Sequence, residues 1–208
     1  MIQNQTVRLS KPIGKQKVSL TCLEHLSTQG NFLLDLIEKE HKTYDILKDN
    51  YKIQVGWSFY ILCLHDGVFS VLSPDHISNP FKETTEDLSL SLFVQVQQNE
   101  VLKKAKIQGE SVSFQDTILV HKDALKSDSL CLERMDGRQS GESGWFIGTL
   151  DDTDSSSTTE NDFKQIYVYE LLHSKPELMK FLSLPTGCLV VLENKEITVL
   201  DTKNERLL

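Results

Sequence analysis

The chain has 208 residues, 39% hydrophobic and 25% charged, with 22 Lys and Arg against 30 Asp and Glu for a formal net charge of -8. This is a globular composition, sufficient for one large domain or two small ones. The acidic balance argues against a nucleic-acid partner, because a phosphate backbone rewards clustered Lys and Arg. The short basic clusters Lys11–Lys17 and Lys103–Lys106 lack interleaved aromatics and read as solvated surface.

No apolar run approaches the ~20 residues needed to span a bilayer, so no membrane role is expected. The opening MIQNQTVRLSKPIGKQ has no hydrophobic core and no small-residue cleavage site, which points to the cytoplasm. Cys22, Cys63, Cys131 and Cys188 are widely spaced and read as small buried hydrophobes, without the close pairs a zinc site needs. Cys63 and His65 form the one near pair, which a strand residue beside a turn explains.

In chain order, Lys15 to Thr21 can form a short strand. From Asn31 to about Lys48 the pattern is helical: Leu33, Leu36, Ile37, Tyr44 and Leu47 fall near one face, Asn31 can cap the start, and Asp49-Asn50 closes the segment. IQVGWSFYILCL and VFSVL flank His65-Asp66-Gly67, a strong hairpin signal. Pro74 and Pro80 punctuate a loop. A second helix is expected over about 86–107, with Thr84 and Asp87 as a capping box, a stripe of Leu88, Leu92, Val96 and Leu102, and Gly109 as the stop.

Beyond a join at 109–115 the segments shorten. TILVH, SLCLER, GWFIGTL and KQIYVYEL read as strands separated by polar loops. Ser174, Pro176 and Glu177 together predict a helix start, with Ser174 as cap. CLVVLENKEITVL ends the chain as a hairpin turning at Asn194-Lys195. The fold expected is α+β, with mixed or antiparallel sheets packed against a few helices. An N-terminal region over 1–110 would precede a second domain over 111–208. The echo of Gly56-Trp57 in Gly144-Trp145 is too short to count as a repeat.

Chemistry finds little support. No G-x-S-x-G occurs, and Gly141-Glu142-Ser143-Gly144 leads into a strand where a nucleophile elbow leads into a helix. It reads as a tight turn in which Gly144 relieves crowding before Trp145. An EF-hand register begun at Asp152 puts Ser157 at the Gly position and Phe163 at the bidentate Glu position, so it fails. The six histidines show no metal-binding spacing, and phosphate-cradling glycine loops are absent. Neither a metal nor a cofactor is expected. Asp151, Asp152, Asp154, Glu160 and Asp162 make an acidic, Ser/Thr-rich loop that could complement a basic partner. Trp145 beside it is either a core residue or an interface anchor, Trp being enriched in binding hot spots.

The order of motifs from Ile118 to Glu193 resembles the bacterial immunity-protein thirty-three family, described from polymorphic-toxin gene neighbourhoods. The matching positions are Glu133 and Arg134 at a strand end, Ser143-Gly144-Trp145 stepping into a strand, and Gly148 followed by Asp151 and Asp152. Pro185 and Gly187 supply the late turn before the last strands. Glu133-Arg134 reverses the charge order of the family pattern, and the acidic run is displaced by the insert DDTDSSSTTEND. The N-terminal half is similar to a region that accompanies this domain in longer members. The resemblance implies a non-catalytic module that binds a protein partner, a toxin domain, and neutralises it by occlusion. Trp145, Asp151, Asp152, Asp154, Glu160 and Asp162 are the candidate contact residues. A housekeeping adaptor that keeps the domain, or a hydrolase using scattered carboxylates, are the alternatives.

Overall fold

The computed structural model describes residues 5–150, 159–194 and 196–208. The chain is α+β and divides into two compact units, Met1–Val96 and Gln97–Leu208. The boundary falls inside one helix.

The first unit opens with β1 (Thr6–Ile13) and β2 (Gln16–Leu23), followed by α1 (Ser27–Tyr44). Then come β3 (Tyr51–Val55), β4 (Ser58–His65), β5 (Val68–Pro74) and the two-residue β6 (Thr84–Thr85). The sheet order is β1-β2-β5-β4-β3 with β6 on β5, and only the β2–β5 pair among these is parallel. Alternation along β4 and β5 puts Tyr60, Leu62, Phe69 and Val71 on the inner face, where they pack with Leu33, Leu34 and Ile37 of α1. Gly30 lets that helix approach closely: a Cβ there would lie 2.7 Å from Leu9 Cδ1.

Asn31, expected as the helix cap, lies inside α1. A 3-10 turn over Glu24–Leu26 runs directly into the helix, and the left-handed Asp45 (φ 50°) ends it before Asp49-Asn50. The Asp66-Gly67 hairpin is found, with both residues at positive φ (49° and 77°) as a two-residue turn of that twist requires. The run IQVGWSFYILCL, however, is not continuous. It turns at Gly56-Trp57, where Gly56 takes φ 61° and Val55 pairs with Ser58.

The helix α2 (Ser89–Ala105) lies within the range expected. Its start is set by Asp87, whose Oδ1 accepts from the Ser89 amide (3.0 Å), while Thr84 pairs with Pro74 in β6. Its stop is Lys106 at φ 56°, not Gly109. Gly109 serves close packing instead, since a Cβ would meet Leu102 Cδ1 at 2.4 Å and the Ser183 carbonyl at 3.0 Å.

The second unit holds β7 (Thr117–His121), β8 (Leu130–Arg134), β9 (Glu142–Thr149), β10 (Phe163–Tyr167), the single-turn α3 (Leu171–Ser174), β11 (Leu189–Glu193) and β12 (Glu196–Leu200). The order is β10-β7-β9-β8-β11-β12, with β7 and β9 parallel. Ile118, Val120, Leu130, Leu132, Ile147 and Val190 are buried, as are Leu178, Phe181 and Leu182 of the segment before β11. Two local expectations change here. The strand in KQIYVYEL stops at Tyr167, where Glu170 accepts from the Tyr167 amide (2.6 Å) and draws Val168–Glu170 into a 3-10 turn. Ser174 ends α3, its hydroxyl donating back to the Glu170 carbonyl (3.2 Å), and Pro176–Phe181 is a 3-10 helix opened by its proline.

Candidate functional site

The β8–β9 register sets Arg134 directly opposite Trp145. Both side chains are buried, Arg134 at 0% and Trp145 at 1% exposure. Arg134 Nη1 donates to the carbonyls of Leu184 (2.5 Å), Glu110 (3.1 Å) and Leu182 (3.5 Å), and Nη2 to that of Ser111 (3.4 Å). The guanidinium carbon sits 5.8 Å from the Trp145 ring centre, and the indole N–H donates to the Leu182 carbonyl (2.9 Å). A buried guanidinium is costly unless its donors are satisfied, and here backbone carbonyls satisfy most of them. The Glu110 carboxylate lies 3.7 Å away and anchors the 186 turn by accepting from the Thr186 amide and hydroxyl (both 3.1 Å). Burial alone raises the Glu110 pKa, but the Thr186 bonds and the charge of Arg134 outweigh it and hold the carboxyl below its usual value.

Ser143 and Gly144 explain how β9 enters this arrangement. Gly144 has φ 78°, and a Cβ there would lie 3.0 Å from the Met135 carbonyl. The β7–β9 register shifts between Thr117 and Leu119, so the segment read as a tight turn is a bulge within β9. Ser143 Oγ secures it, donating to the Thr117 carbonyl (2.8 Å) and accepting from the Trp145 amide (3.1 Å). Gly187, at φ 85°, completes the centre: its amide donates to the Arg134 carbonyl (2.7 Å).

The candidate contact residues do not converge. Trp145 is at this buried centre. Asp151, Asp152 and Asp154 lie outside the described residues, and Glu160 opens the 3-10 turn Glu160–Asp162. Asp162 is partly buried and engaged within the unit: Lys122 forms an ion pair with it, and the Thr159 amide and hydroxyl donate to Oδ2 (2.8 and 2.9 Å). Lys122 above all, with Thr159, holds this carboxyl far below the usual carboxylate range. Asp162 immediately precedes β10, and β7 lies between that strand and β9, which carries Trp145.

Residues 97–202, half of the chain, match the Imm33-like domain. The chain belongs to the Imm33-like domain family. A search of curated proteins and of solved structures found no match. The Imm33-like match takes in the whole sheet from β7 to β12, and with it the Arg134–Trp145 centre.

On the outside of the Imm33-like unit, β10 is an edge strand that pairs with β7. Tyr167 at its end is 42% exposed, with its ring stacked on Tyr169 (6.1 Å between centroids), and Tyr169 meets His173 edge-on. A cavity of about 510 Å³ in the same unit is lined by Asp128, Lys175, Glu177 and Glu196, with Lys175 Nζ donating to the Ser127 carbonyl (3.0 Å). Among the described residues, no group of His, Cys, Asp and Glu is arranged to hold a metal, and no helix is long and apolar enough to cross a membrane. All four cysteines are free.

Proposed function

We propose that this protein binds a toxin domain in the cytoplasm and neutralises it by steric occlusion, performing no chemistry of its own. Membership of the second unit in the Imm33-like family carries this reading. Among the residues that match the family pattern, Arg134, Ser143, Gly144, Trp145 and Gly187 are committed to holding the unit together, so recognition falls to its exposed edge. We place the contact at β10, with Tyr167 as an aromatic element and the acidic segment of Asp151, Asp152, Asp154 and Glu160 as its rim. Tyrosine supplies a large contact area at low entropy cost, and a rim of carboxylates favours encounter with a basic partner.

The test is co-expression with the variable C-terminal domain of a large secreted protein encoded beside this gene. The toxin domain alone should arrest growth, and the wild-type chain should rescue it and co-purify with it. Tyr167→Ala combined with Asp151→Lys and Asp152→Lys should weaken the complex at least tenfold while leaving the chain folded. Failure of the wild-type chain to rescue or to form a complex overturns the proposal.

A further inference from the structure

The first unit lies outside the Imm33-like match and holds a cavity of its own, about 560 Å³, between the end of β2, the loop after β5 and the first turn of α2. Its volume falls within the range of small-molecule sites, roughly 300–1,000 Å³. Leu23, Leu26, Leu90 and Phe93 give it apolar walls, and Phe93 and Ile77 are 43% and 72% exposed.

Polar groups break this apolar lining at few points. Ser91 is 1% exposed, and its hydroxyl has no hydrogen-bond partner. Leaving a buried hydroxyl unmatched is costly, and a bound acceptor or donor recovers that cost. Asp75, Asp87 and His25 also line the cavity, and none of the described residues around it is a lysine or arginine. Asp75 is kept below its usual pKa: burial raises it, but bonds from the Ser78 hydroxyl and the Ile77 and Ser78 amides outweigh that. His76, also in the lining, is drawn down to about 4 by burial and is therefore neutral at pH 7; its ring packs on Trp57 at 4.3 Å. Two carboxylates, Asp75 and Asp87, the latter also accepting from the Ser89 amide and hydroxyl, and one unmatched hydroxyl thus border an apolar wall.

From this combination we infer that the first unit binds a small amphiphilic ammonium compound, its apolar body against Leu23, Leu26, Leu90 and Phe93 and its cationic end toward Asp75, Asp87 and Ser91. Such binding is independent of the toxin contact, and its assay needs no partner.

Three probes with one fluorophore and different charge test it on the full chain: dansylcadaverine (cationic), dansylamide (neutral) and dansylglycine (anionic). Dansylcadaverine should bind saturably at one site with a blue-shifted emission, at least tenfold more tightly than dansylglycine, with dansylamide between them. Leu90→Trp should fill the cavity and weaken dansylcadaverine at least tenfold. Asp87→Asn should narrow the preference for the cation, and Ser91→Ala should weaken binding about fivefold, the worth of one hydrogen bond. Circular dichroism confirms that each variant is folded. The inference fails if the wild-type chain gives no saturable binding or binds dansylglycine as tightly as dansylcadaverine. It also fails if folded Leu90→Trp binds like the wild type. The wild-type probe series decides the matter even if a variant does not fold.

Discussion

Replacing Arg134 removes the donor shared by the carbonyls of Glu110, Ser111, Leu182 and Leu184. The Leu182 and Leu184 oxygens then lie buried beside Trp145, which supplies only its single N–H to Leu182. Arg134→Met should therefore cost about 3–5 kcal/mol, the scale of removing one partner from a buried charged network. Arg134→Lys keeps the charge but loses the planar fork that reaches several carbonyls at once, and should cost about 2 kcal/mol. Urea denaturation with unchanged m-values measures both; a loss below about 1 kcal/mol for Arg134→Met contradicts the assignment. A second residue-level expectation concerns His76, held at about 4 by burial. An unfolded imidazole titrates near ~6.5. The stability tied to the neutral native ring is thus fully present above that value and is lost as pH falls toward 4. The loss approaches about 3 kcal/mol on the order-of-magnitude scale of 1.36 kcal/mol per unit. Lys11 and Lys42 hold Glu38 at about 2, so its contribution is lost at lower pH. Stability curves at pH 7.5, 6 and 5 should show the decline, and His76→Gln should flatten it.

The element scale is where the sequence was most and least readable. Strands with strict alternation were legible: β4, β5, β7, β8, β9, β11 and β12 all lie where apolar alternation or a continuous apolar run put them. The Asp66-Gly67 turn was equally clear, because two left-handed residues leave few alternatives. The period of two in LCLER also bears on Arg134. Leu130 and Leu132 are buried, so Arg134 two residues on must face the same way. That parity distinguishes a buried arginine from a surface one, but it cannot name the carbonyls that meet it, because they come from segments about 23 and 50 residues away. The Gly56-Trp57 turn was hidden because apolar residues continue through it, and Trp57 is held in place by a distant partner, its indole N–H donating to the Ser91 carbonyl (3.0 Å). Glycines at positive φ give a direct test of how much the late turn constrains the unit. Gly137 (φ 77°) has nothing within 4 Å of a built Cβ, whereas at Gly187 (φ 85°) that atom would meet Thr202 Cγ2 at 2.2 Å. Gly137→Ala should cost about 1 kcal/mol from backbone strain alone, and Gly187→Ala about 2–3 kcal/mol because Thr202 must also move. Equal losses in denaturant would show that the turn gives way freely.

For the whole molecule, net charge was readable from the sequence, but the acidic segment's role was not. A run such as DDTDSSSTTEND fixes charge without fixing geometry, and Asp162 at its end is already matched by Lys122 and Thr159. If the remaining acidic residues serve the proposed toxin contact, their effect belongs to encounter, since exposed charges steer diffusion more than they hold a finished complex. The chain carries a net charge of -8, and a complementary basic partner feels that field over roughly 10 Å at 0.1 M salt and about 3 Å at 1 M. Association measured by stopped flow should therefore slow about tenfold between roughly 0.05 and 0.5 M NaCl, with dissociation changing much less. Asp151→Lys with Asp152→Lys should lower the association rate at low salt and flatten its salt dependence, while Tyr167→Ala should act mainly by speeding dissociation. A wild-type association rate indifferent to salt would remove the acidic rim from the mechanism and leave occlusion to the tyrosine edge alone.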